Sequence, residues 1–199
     1  MSEKNKHKLA RAKILNQLDV ELSYHLSYHS LEHTEDVMFW CEELAKKDGL
    51  AKDQLEPLLT AAAYHDAGFL ISHKEHEALG CKLATSQLAA LNFSADEIAY
   101  ICSLIMSTKI PQSPFDHASM ILCDADLAYL GGDNYANIAQ QLYRELQHLQ
   151  GSIAQAKWLE IQIKFLENHR FHTHTARETF LDQKLKTLEQ LLEEQARYQ

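Results

Sequence analysis

Glycine and proline are scarce enough in this chain to decide its fold class. Six glycines and three prolines punctuate 199 residues, and the long intervals between them repeat apolar side chains at i, i+3, i+4 and i+7. That period belongs to an amphipathic helix, whereas a half-buried strand alternates with period two. A hairpin signal is absent. An all-α bundle of about seven to eight helices is therefore expected, at about 5–26, 31–48, 54–69, 73–91, 95–109, 114–130, 134–168 and 174–196. The 46% apolar content is ample for the core of one domain spanning residues 1–199.

Local chemistry predicts where several helices begin and end. Ser72 with Glu75, Ser94 with Glu97, and Thr175 with Glu178 each fit a capping box, in which the first side chain accepts from an orphan N–H and the acid reaches back. Ser113-Pro114 reads as an N-cap followed by proline at the first helical position. Gly49 reads as a C-terminal cap, and Gly131-Gly132 as a break. The last helices are more polar, and "LDQKLKTLEQLLEEQ" shows a thin leucine stripe. Such a stripe suits a helix lying on the bundle surface, with a homodimer seam as the alternative.

Charge and cysteine usage narrow the partners. A formal charge of −9 argues against general affinity for nucleic-acid backbone or anionic membrane, both of which need clustered cations. Cys41, Cys81, Cys102 and Cys123 lie far apart within apolar segments, as core residues of a reducing compartment do. The N-terminal stretch "MSEKNKHKLARAKIL" has no apolar signal region, and no apolar run approaches a membrane span. A cytoplasmic protein without membrane association is expected.

Three short stretches carry the chemistry. In "YHSLEHTEDV", His29 and His33 are four residues apart and share a helix face. By itself such a pair reads as two solvated imidazoles. In "LLTAAAYHDAGFL", the doublet His65-Asp66 closes a small apolar helix, where an imidazole and a carboxylate are costly unless paired or bound to a cation. In "MILCDADLAYLGG", Asp124 and Asp126 interrupt another apolar helix, about 200° apart at roughly 100° per residue. One of the two faces inward. We assign that role to Asp124 and place Asp126 behind it or in solvent. His33, His65, Asp66 and Asp124 then form a mixed nitrogen and oxygen set suited to one divalent ion: Mn, Mg, Zn, Fe or Ni.

The order "YHSLEHT", "HDAG", "CDADL" resembles the HD superfamily of metal-dependent phosphohydrolases across roughly residues 24–130, with helices at about 134–196 packing on that core. The first motif is further similar to the YHNxxHAxDV pattern of cyclic-nucleotide phosphodiesterases, with Ser30 in place of Asn. The resemblance implies an HD-type helical domain in which His33, His65, Asp66 and Asp124 bind metal. It also implies that Asp66 orients a metal-activated water and that His29 is the general acid. Lys74, His76 and Lys109 are then candidates for contacting substrate phosphate. The expected substrate is a small phosphorylated molecule, a nucleotide first among them. Departures matter as well: no nucleotide-clamping glutamine can be placed, and the acidic pair of stringent-response hydrolases is missing after the doublet. An HD-type di-iron oxygenase using His73 or His76, and a non-catalytic metal-stabilised regulatory module, are the alternatives. A second, weaker ion bridged by Asp66 is compatible with the first reading. The cluster His169, His172 and His174 spans an expected helix break and reads as a polar loop, unless Arg170 or Arg177 folds towards the pocket.

Overall fold

The computed structural model describes residues 3–197. Among them are nine α-helices and two short 3₁₀ turns, and no strand: α1 Glu3–Glu21, α2 Leu31–Asp48, α3 Lys52–Tyr64, α4 His76–Ala89, α5 Ala95–Ser107, α6 His117–Asp126, α7 Tyr135–Gln150, α8 Gln155–Asn168 and α9 His174–Arg197, with the 3₁₀ turns at Ala67–Leu70 and Ala128–Gly131. The ninth helix arises at Gly151. The span expected as one helix over 134–168 is split there, because Gly151 adopts φ 93°, a conformation that costs a residue with a Cβ dearly.

Helix α3 forms the centre of the bundle and packs against α1, α2, α5 and α6. Its sequence explains why. Leu58, Thr60, Ala61, Ala62, Ala63 and Tyr64 are completely buried, and the alanines let neighbouring backbones approach from every side. The core extends through Ile14, Leu44, Leu88, Ile101, Leu104, Ile121 and Leu122. Helix α9 lies across α8, α2 and the second 3₁₀ turn. It buries Ala176 and Phe180 and exposes Leu185 and Leu192.

The caps divide into those the sequence announced and those it disguised. Ser94 and Glu97 form the expected capping box, and Gly49 closes α2 at φ 70°. Ser72 and Glu75 form none. Instead α4 starts at His76, three residues later than expected, behind Glu75 at φ 53°. Helix α6 starts at Asp116, which accepts from Ser119 N while the Ser119 hydroxyl reaches back, rather than at Ser113-Pro114. At α9 the cap is Thr173, whose hydroxyl accepts from Ala176 N at 3.1 Å, because Thr175 is drawn away to Asp48. Among the described residues no helix is long and apolar enough to cross a membrane, and all four cysteines are free.

Candidate metal centre

The end of α3 and the start of α2 bring the histidines together. Ser30 caps α2 by accepting from His33 N at 3.3 Å, which fixes His33 in the first turn with its ring over α3. His65 ends α3. Its Nδ1–H donates to the Ala62 carbonyl at 2.8 Å, so the ring is held with its Nε2 lone pair turned to the cluster, the arrangement that raises the basicity of an imidazole ligand. The two Nε2 atoms are 3.4 Å apart. Asp66 Oδ2 lies 3.5 Å from His33 Nε2 and 3.2 Å from His65 Nε2.

The fourth group is Asp126, not Asp124. Asp126 Oδ1 lies 3.4 Å from His33 Nε2 and 3.5 Å from His65 Nε2. Asp124 is fully buried on the other side of α6, where its two carboxylate oxygens accept from His172 N at 2.7 Å and Thr173 N at 2.8 Å. The expectation that Asp124 binds metal is therefore corrected. Ile121, Leu122, Cys123, Asp124 and Ala125 are all buried, so both faces of this helix meet protein and its apolar pattern could not tell which acid met the histidines.

This donor set fits a divalent cation. Ligand atoms at about 2.1 Å from an ion stand roughly 3.0–3.4 Å apart along the edges of an octahedron or tetrahedron, close to the separations given above. Asp66 Oδ2 is buried without a hydrogen-bond donor, an arrangement that costs free energy unless a cation meets it. His33, His65 and Asp66 stand as a group able to hold a metal ion. Burial alone would lift Asp66, but the charges of His65 and His29 hold its carboxyl well below the ordinary range. Burial would depress His33 and His65, yet Asp66 and Asp126 raise both. Metal and protons therefore compete for the same lone pairs.

His29 stands beside this cluster as a separate device. Its Nδ1 is hydrogen-bonded to Glu145 Oε1, while Glu145 Oε2 accepts from Tyr28 N at 2.9 Å and His29 N at 3.1 Å. The ring stacks on Phe69 at 4.1 Å and lies 6.2 Å from the His33 ring. Glu145 is nearly inaccessible on α7. Its burial raises its pKa, but the hydrogen bonds from His29 outweigh this and leave it below the usual glutamate value. Sequence reasoning missed Glu145, since one acid among many in a polar helix carries no local mark.

The remaining candidates scatter. His76, at the start of α4, places Nε2 3.4 Å from Asp66 Oδ1 and 3.4 Å from Glu77 Oε1. Lys74 and Lys109 are exposed and line no part of the cleft beside the cluster, so neither joins the site. His73 is only partly buried, in the turn before α4. That cleft, of about 770 Å³, reaches the centre at His33 and Asp126, and is lined further by Glu32, Asp36, Asp133 and Tyr129, with no lysine or arginine among the described residues. Arg177 donates to the carbonyls of Phe171 and His172 instead of turning to the centre.

Residues 30–128 match the HD domain family, and the chain belongs to that family. Two solved structures share its fold. One is a Lactobacillus plantarum protein, 17% identical, with TM-score 0.74 and coverage of 100% of this chain and 99% of the other. The second is described as a predicted HD superfamily hydrolase from an uncultured Thermotogales bacterium, 22% identical, with TM-score 0.61 and coverage of 94% and 92%. No curated protein matches the sequence.

Proposed function

We propose that this protein is a metal-dependent phosphohydrolase that cleaves a phosphomonoester or phosphodiester, with nucleotides the first substrate class to test. The observation that carries the reading is the convergence of His33, His65, Asp66 and Asp126 beside an imidazole held by its own carboxylate. A divalent ion in that cluster would lower the pKa of a bound water towards about 7 and polarise a phosphoryl oxygen.

The protein's own side chains supply the rest. His29 keeps Nδ1 on Glu145, which leaves Nε2 to hand a proton to the leaving oxygen, as a general acid within reach of the scissile bond would. Phe69 stacks on the ring and restricts its rotation. Asp66 uses one oxygen towards the histidines and the other towards His76, so its carboxylate is oriented from both sides and can align the attacking water. The carboxylates lining the cleft favour a substrate with a single phosphate and donor groups in its body over a di- or triphosphate, whose charge they would repel.

Purified protein loaded in turn with Mn²⁺, Mg²⁺, Zn²⁺ and Ni²⁺ and offered phosphomonoesters, mononucleotides, cyclic nucleotides and nucleoside triphosphates tests this. Turnover of a monophosphate or diester that disappears in His29→Ala while metal content persists is the expected result. Inactivity with every metal and ester would defeat it. The di-iron alternative draws on His76, whose Nε2 lies between Asp66 Oδ1 and Glu77 Oε1; it requires two redox-active ions per chain, which metal analysis decides. The non-catalytic alternative requires that His29→Ala leave function intact.

A further inference from the structure

A second cavity, of about 270 Å³, shares no lining residue with the acidic cleft: Leu127 faces it, whereas Asp126 and Ala128 face the cleft. Its walls are of two kinds. Ile110, Pro111, Leu127 and Phe165 supply an apolar surface, and His169, Arg170 and His172 supply a polar one.

His169 is the unusual member. It is 9% exposed, and neither ring nitrogen has a hydrogen-bond partner. Leaving such groups unpaired costs about 1–3 kcal/mol; both nitrogens are out of reach of solvent, so a ligand in the cavity meets them by a small shift of the ring. Its neighbours are cationic. Arg170 Nη1 is tied to the carbonyls of Glu167 and His169, which fixes the guanidinium at the rim with its other N–H groups to spare. Lys184 Nζ donates to the His169 carbonyl at 2.6 Å from behind. Burial, with Lys184, His172 and Arg170 adding to it, pushes the His169 imidazole down to about 3; the ring is neutral at ordinary pH, with one N–H to donate. His172 Nε2 faces Gln112 Oε1 at 3.3 Å, and the Gln112 amide donates to the Cys123 carbonyl at 2.9 Å, so this wall is rigid. Among the described residues no carboxylate lines the cavity, in a chain whose net charge is −9.

We propose that this cavity is a binding site for a small carboxylic acid with an apolar body of about one ring. The body lies on Phe165, Leu127 and Pro111, and the carboxylate accepts from the Arg170 guanidinium and the His169 ring N–H, a charge-assisted pairing whose geometry suits arginine. The site is separate from the metal centre and stands whether or not the phosphohydrolase reading does.

Titration of the purified 199-residue chain, followed by calorimetry and ligand-observed NMR, tests it with three probes: benzoate, the isosteric neutral benzamide, and inorganic phosphate. Benzoate should bind saturably, benzamide at least tenfold more weakly, and phosphate not at all at the same concentrations. Arg170→Gln, at an exposed position that leaves the core untouched, should weaken benzoate at least tenfold, and His169→Phe should do likewise. Should His169→Phe fail to fold, the Arg170 variant decides alone. Absence of saturable benzoate binding, equal binding of benzamide, or benzoate affinity unchanged by Arg170→Gln would each overturn the proposal.

Discussion

Asp124→Asn separates an anchoring acid from a metal ligand. Asp124 holds two backbone N–H groups, those of His172 and Thr173, at 2.7 and 2.8 Å, and is inaccessible to solvent. Asparagine keeps one acceptor oxygen and turns an NH₂ group towards the other N–H. One buried donor is then left unpaired, at about 1–3 kcal/mol, and the surviving bond loses its charge assistance, for roughly 1 kcal/mol more. A loss of about 2–4 kcal/mol is expected. With a urea m-value of about 2–3 kcal/mol/M, near the upper end of the usual range as befits a domain of this length, the midpoint should fall by roughly 1–1.5 M. Urea unfolding followed by circular dichroism measures the midpoint, and metal analysis of the folded variant measures ion content, which should match the wild type. An unchanged midpoint together with lost metal would refute the reasoning, because it would make Asp124 the ligand after all.

Other perturbations probe different parts of the account. Glu145→Gln removes the anion behind His29 and should lower turnover at least tenfold with bound metal unchanged; wild-type rates in that variant would remove the proposed general acid. Gly68→Ala would set a Cβ 1.9 Å from the His76 carbonyl oxygen; the backbone at the start of α4 has to move, so about 3 kcal/mol and a melting temperature lower by roughly 6–12 °C are expected, and an unchanged melt contradicts the packing. Burial raises the Glu97 carboxyl, but Lys6 and the Ser94 amide outweigh it and bring it from 4.5 to about 2. Its folded pKa lies below the unfolded one, so its contribution is complete above about 4.5 and is lost as pH falls towards 2, about 1 kcal/mol for a part-buried pair at the rim of the protein. Glu97→Gln should flatten the acid limb of stability by that amount, as read from urea midpoints between pH 5 and 2.5; an identical limb speaks against the pair.

How much of this was legible from the sequence depends on the range of the interaction. Helix periods, the Ser94 box and the Gly49 cap are local, and each stands where the sequence predicts it. The Ser113 and Thr175 caps failed because competing partners lay within a turn or across the chain: Asp116 with Ser119, Thr173, and Asp48, which draws Thr175 from 127 residues away. His33, His65 and Asp66 could be read because a polar doublet ending an apolar helix needs compensation. Choosing between Asp124 and Asp126 needed the path of residues 172 and 173 around the back of α6. Glu145, 116 residues from His29, needed the fold itself.

The central claim is that one cation-binding cluster is built from His33, His65, Asp66 and Asp126. Titrating metal-stripped protein with Mn²⁺, with free ion followed by electron paramagnetic resonance, tests it most directly. One tightly held ion per chain is predicted, with affinity reduced at least a hundredfold by His65→Ala or Asp126→Ala and retained in Asp124→Asn. Absence of tight binding in the wild type, or an Asp126→Ala variant that binds as the wild type does, would contradict it.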